Sequence, residues 1–190
     1  MYSIKIEDSS KLFFTSDLHF NHFNIARYCN RPFSSRKEMN EVLIENWNNK
    51  VPEDGIVVNC GDFALFHDIA LKQYQKLASK LNGKQVFVRG NHDRVSLLPE
   101  GDNGKFIAIV DIANIQVEDI TITATHYPLL TFPTHYNVFG HVHTLNDGKI
   151  YGPDAYIMDK INIYSQKDVG VDCNNYTPIS FDELMDYFNS

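Results

Sequence analysis

The sequence predicts an α/β fold in which one sheet is fed by parallel crossovers and a second, largely antiparallel sheet packs against it. Three observations predict it. Strand-like apolar runs alternate with helical periodicity in the first half of the chain, while the second half is mostly strand-like. Five of the apolar runs end in acid, amide or imidazole groups, the place where such sheets gather ligands. With 190 residues and no repeat, low-complexity tract or long linker, residues 1–190 are expected to form a single domain.

The opening "MYSIKIEDSSK" is too polar and too acidic for a secretion signal. "KLFFTS" (11–16) reads as a buried strand. A helix follows from Ser35, where Ser35 and Glu38 can form a capping box, with Met39, Val42, Leu43 and Trp47 at helical spacing. "GIVVNC" (55–60) is the next strand. A second helix is expected from about Asp68 to Leu81, with Ala70, Tyr74, Leu77 and Leu81 on one face and Gly83 as its stop. "KQVFVRG" (84–90) is a third strand, and "FIAIV", "NIQVEDITITAT", "HYNVFG" and "INIYS" supply those of the second half. A last helix begins at Ser180, boxed by Glu183.

Composition removes several functions. The longest strongly apolar run, 106–110, is far too short to span a bilayer. Cys29, Cys60 and Cys173 are odd in number and scattered, which argues against a disulfide framework and for a reducing cytoplasm. A net charge of -7 works against tight binding of duplex nucleic acid. It leaves room for a small anionic substrate, because a local cation can reverse the field inside one pocket.

The polar strand ends are "SDLH", "GD", "GNHD", "THYP" and "GHVH". Asp17 and His19 are two residues apart, as are His141 and His143, so in extended segments each pair would share a side. Glycine precedes Asp62, Asn91 and His141, allowing a sharp turn or a close approach. The collected donors are Asp17, His19, Asp62, Asn91, His126, His141 and His143, with no thiolate among them. Seven donors exceed what one ion uses, and two divalent ions sharing one carboxylate fit. Mixed imidazole, carboxylate and amide ligation suits Mn, Fe, Zn or Ni.

"DLH", "GD", "GNHD", "H" and "GHVH", in that order over about 11–145, resemble the calcineurin-like metallophosphoesterase superfamily. "DLHFNHFNIARYCNRPF" and "VGVDCNNYTPISFDEL" are similar to a small single-domain bacterial and phage branch of it. The resemblance implies a four-layer α/β/β/α sandwich. It assigns Asp17, His19, Asp62 and His143 to one ion and Asp62, Asn91, His126 and His141 to the other, with Asp62 bridging. Asp62 is followed by "FALFHD" rather than the Asp-Arg-Gly of the protein-phosphatase branch, which argues against protein phosphatase activity.

His92, beside Asn91, is placed to protonate a leaving oxygen, with Asp93 as a neighbour that would raise its pKa. His22 and Tyr127 are candidates for substrate contact, and Arg31, ahead of Arg27 and Arg94, for a phosphate clamp. His67 and His135 read as structural. The expected activity is hydrolysis of a small phosphomonoester or phosphodiester, nucleotide-derived compounds among the candidates, by metal-activated hydroxide. Two other readings stay open. A nuclease on single strands or ends would need a basic, aromatic-lined channel. A silent metal-binding scaffold would be marked by lost ligands, and here all seven are present.

Overall fold

The computed structural model describes residues 1–66, 71–101, 104–145, 148–150 and 155–190. Its strands are β1 (Tyr2–Ile6), β2 (Leu12–Thr15), β3 (Ile56–Asn59), β4 (Lys84–Val88), β5 (Phe106–Val110), β6 (Ile112–Val117), β7 (Ile120–Thr125), β8 (Tyr136–Phe139), β9 (Gln166–Asp168) and β10 (Ile179–Ser180). The α-helices are α1 (Asn24–Tyr28), α2 (Arg36–Lys50), α3 (Leu71–Ala78) and α4 (Phe181–Asn189). Among the described residues no helix is long and apolar enough to cross a membrane.

The first sheet runs β10-β2-β3-β4-β5, parallel throughout except for β10. Alternate residues of its buried strands point to opposite faces, so each face finds its own partner. On the outer face Phe13, Val57 and Phe87 pack under Met39, Leu43 and Trp47 of α2 and Tyr74 and Leu77 of α3. On the inner face Leu12, Phe14, Val58, Val86 and Val88 meet Ala113, Ile115, Val117, Ile122, Ala124 and Val138 of the second sheet. Helix α4 joins that inner cluster through Phe181, Leu184 and Phe188, and Phe188 stacks on Tyr136 with ring centroids 4.1 Å apart. Two mixed sheets packed face to face and flanked by helices are therefore the observed architecture.

The second sheet, β1-β6-β7-β8-β9, departs from the expectation of a largely antiparallel one: only β6 and β7 pair antiparallel. The "FIAIV" run, β5, lies in the first sheet beside β4 rather than in the second. The second sheet instead receives β1, where Tyr2, Ile4 and Ile6 point toward the core and Ser3 and Lys5 are exposed. "INIYS" is not a strand. The Asn162 side chain accepts from Tyr164 N, and its carbonyl accepts from Ser165 and Gln166, winding the segment into turns that deliver β9.

Helix ends follow local chemistry. Ser35 caps α2 by accepting from Glu38 N, but the Glu38 carboxylate reaches Ser34 instead of closing the box. The box at Ser180 and Glu183 is complete. Helix α3 ends at Ala78, short of Leu81, which is buried beyond the helix, and Gly83 (φ 75°) then turns the chain into β4. The expected start of that helix, Asp68 and Ala70, and His67 before it lie outside the described residues.

Candidate metal centre

All five polar strand ends meet at one end of the sandwich. Neighbouring loops are joined by backbone hydrogen bonds, Asp17 N to Gly61 O (2.9 Å) and His19 N to Asp62 O (2.8 Å). The pairing of Asp17 with His19, and of His141 with His143, is not made by extended chain. Asp17 (φ 56°), His19 (51°), Asp62 (51°), His141 (71°) and His143 (50°) are all left-handed, a conformation that non-glycine residues adopt when surrounding structure imposes it. The motif glycines act by close approach. A Cβ on Gly90 would collide with Asp62 Oδ1, and one on Gly140 with Ser16 Oγ and Asp17 Oδ2.

The seven collected donors converge. Asp62 Oδ2 is 3.4 Å from His19 Nε2 and 3.6 Å from His126 Nε2. Asp17 Oδ1 is 4.0 Å from His19 Nε2 and 3.9 Å from His143 Nε2. Asn91 Oδ1 lies 2.9 Å from His126 Nε2 and 3.0 Å from His141 Nδ1. Two histidines are oriented by their outer nitrogens: His126 Nδ1 donates to Cys60 O (2.8 Å), and His143 Nδ1 faces Asp172 Oδ2 (2.8 Å). Their Nε2 lone pairs are thereby turned inward.

These residues fit a divalent cation. His19 Nε2 is buried with no hydrogen-bond partner and is aimed at two carboxylates. Its distance to Asp62 matches two ligands that each sit about 2.1 Å from a shared ion, which are then about 3 to 3.5 Å apart. One potential ligand group combines Asp17, His19 and His143, and another Asp17, Asp62 and His126. The charges point the same way. Burial, with repulsion from Asp62 and Asp168, pushes Asp17 up to about 8 although His143 opposes it. Burial lowers His19 and His126, which favours the neutral imidazoles a metal requires.

Other predicted residues surround this group. The His92 ring is 5.3 Å from those of His19 and His22, and His22 Nδ1 is 3.2 Å from His19 Nδ1. Tyr127, 46% exposed, packs its ring 4.4 Å from His141 at the rim. Asp93 does not serve His92. Its carboxylate accepts from the backbone N–H groups of Asp62, Phe63 and Gly90 and from Tyr74 Oη, knitting the loops instead. His135, hydrogen-bonded to Thr121, is structural. Arg27 and Arg94 are exposed.

Arg31 is not a phosphate clamp. It is 4% exposed and its guanidinium is occupied by Asp172 and by the carbonyls of Asp17 and Leu18. Asp172 and Asp168 were missed as site-forming residues. Asp168 accepts from Thr144 N and Gly170 N, tying the loop after His143 to β9. The available signal was an acid at each end of the short "DVGVD" run, closing the chain's last parallel strand.

A model of the family described as calcineurin-like phosphoesterase matches residues 10–169. The uncharacterized protein MJ1445 of Methanocaldococcus jannaschii is 52% identical over 84 residues, 44% of this chain and 47% of that protein. The match thus spans about half the length of this curated relative. The crystal structure of the protein of unknown function AQ665 from Aquifex aeolicus is similar with a TM-score of 0.65 and 23% identity, over 92% of this chain and 97% of that one, which supports the fold.

Proposed function

The chain belongs to the calcineurin-like phosphoesterase family, and from that premise we propose that it hydrolyses a small phosphomonoester or phosphodiester with the help of two divalent ions, manganese first among Mn, Fe, Zn and Ni. The observation that carries this reading is the orphaned His19 Nε2, aimed at the Asp62 carboxylate that His126 approaches from the other side. Asp17, His19, Asp62 and His143 would hold one ion and Asp62, Asn91, His126 and His141 the other. Bound there, the ions would clamp phosphoryl oxygens and activate water for in-line attack.

The chain's own groups do the rest. Asp62 accepts the His92 backbone N–H at 2.9 Å, which fixes where the His92 ring begins. From that position His92 gives its proton to the departing alkoxide as the new P–O bond forms and the ester bond breaks. His22 and Tyr127 border the substrate. Residues 1–190 are read as one domain, a reading supported by β1 and β10, which lie far apart in sequence and add edge strands to the two packed sheets. Three free thiols suit a reducing cytoplasm.

One observation favours a nuclease as the second reading. A cleft of about 540 Å³ between α2 and α3 is lined by four cations, Arg36, Lys37, Lys76 and Lys80, against one acid, Glu41, with Phe66 among its other walls. A basic cleft with an aromatic wall suits a single strand. Metal-reconstituted protein assayed on p-nitrophenyl mono- and diesters, nucleotides and a short oligothymidylate separates the readings. Turnover of small esters alone supports the first, a strong preference for the oligonucleotide supports the second, and no metal-dependent turnover overturns both.

A further inference from the structure

We propose that the buried Arg31–Asp172 pair is a positioning device for one metal position, the one served by Asp17, His19 and His143. The inference rests on the metal-dependent reading above. Both residues are almost fully buried, at 4% and 3% exposure, and they are joined across 141 positions of sequence. Arg31 Nε donates to Asp172 Oδ1 (2.8 Å) and Nη2 to Asp172 Oδ2 (2.9 Å), a fork that fixes the carboxylate plane. That same Oδ2 faces His143 Nδ1 at 2.8 Å. The guanidinium also donates from Nη2 to Asp17 O (2.7 Å) and from Nη1 to Leu18 O (3.1 Å), inside the segment that carries the left-handed Asp17 and His19.

Apart from a long contact of Arg31 Nη1 to Met39 Sδ (3.9 Å), the hydrogen bonds that the pair makes to other residues fall on one ion's ligand set or on the backbone between its members. The other set contrasts with it, because His126 Nδ1 rests on the neutral carbonyl of Cys60. A carboxylate behind a ligating histidine fixes its tautomer and raises its basicity, and such partners matter to metal affinity almost as the ligands do. Stability alone is a weak reason for a buried ion pair, since apolar replacements of similar size are often as stable.

The test compares metal-free wild type with Asp172→Asn and with the double variant Arg31→Met/Asp172→Asn, in which no lone charge is left buried. Mn binding is measured by titration calorimetry and the metal-free fold by thermal melting. Wild type should take up two ions. Each variant should keep one at wild-type affinity and bind the other about 10- to 100-fold more weakly. A merely structural role would lower the metal-free melting temperature and weaken both ions together, which would overturn the proposal, as would two ions bound at wild-type affinity. Should those variants not fold, Arg31→Lys keeps the charge but loses the fork. It should show the same selective loss, and unchanged binding would overturn the proposal equally. A wild type that binds no ion would refute the metal-dependent reading itself.

Discussion

The two sheets contribute to the candidate site in unequal ways. The first sheet sends Asp17, His19, Asp62, Asn91 and His92 on loops that bind one another, with Asp93 collecting the N–H groups of Asp62, Phe63 and Gly90. The second sends His126, His141 and His143 on loops that lean on the first. His126 rests on the Cys60 carbonyl, His141 N donates to the Asp17 carboxylate (2.9 Å), and Val171 N donates to Ser16 O. The first sheet is the template, and the second is docked onto it.

Asp62→Asn is the severest way to break this comparison, because it removes the carboxylate that both halves approach. Both ions should be weakened and turnover abolished, with metal content falling well below two per chain in elemental analysis; two tightly held ions would show that Asp62 does not bridge. A pair of substitutions sharpens the contrast between the halves. His92→Ala, in the template, should keep both ions and lose about 10²- to 10⁴-fold in rate on an alkyl ester. The loss on a p-nitrophenyl ester should be much smaller, since that group leaves without a proton. His141→Ala, in the docked half, should lower metal affinity along with rate. Equal losses on both esters would exclude His92 as the acid.

Gly140→Ala attacks the docking itself, because its Cβ would meet Ser16 Oγ and the Asp17 carboxylate. Overpacking of this kind costs about 1 to 3 kcal/mol, and chemical denaturation should report it as a lowered midpoint with an unchanged slope. No loss would mean that the two halves are not pressed together there. The smallest effect concerns the buried seam. Cys60 lies between the sheets and Cys29 is also buried, whereas Cys173 is partly exposed. Thiol titration without reductant should count three after denaturation, with Cys173 reacting first in the native protein.

The template half was legible because its buried strands are continuous apolar runs and each ends in a polar motif. Its four donors, Asp17, His19, Asp62 and Asn91, could be collected from the sequence for that reason, and the three histidines of the other half because they too follow apolar runs. The docked half was less legible. Strand β1 buries one face only, so its alternation reads as polar, and nothing local in "FIAIV" tells which sheet receives it. "INIYS" has strand composition, yet the backbone hydrogen bonds of Asn162 override it. Arg31 was misread because a guanidinium matches a substrate phosphate and a buried carboxylate equally well. Only the fold brings Asp172 to it across the length of the chain.

The left-handed residues carry a consequence for how this protein can evolve or be engineered. Such a conformation costs roughly 1–2 kcal/mol for an L-residue with a Cβ, and Asp17, His19, Asp62, His141 and His143 all adopt it. Five such terms are comparable with the roughly 5–15 kcal/mol of net stability typical of a domain. Glycine would relieve the strain at each position, but it would also delete the donor. Selection for thermostability alone should therefore drift toward glycine at these five sites and yield hardier proteins without activity. Selection that retains activity must find its stability elsewhere in the fold.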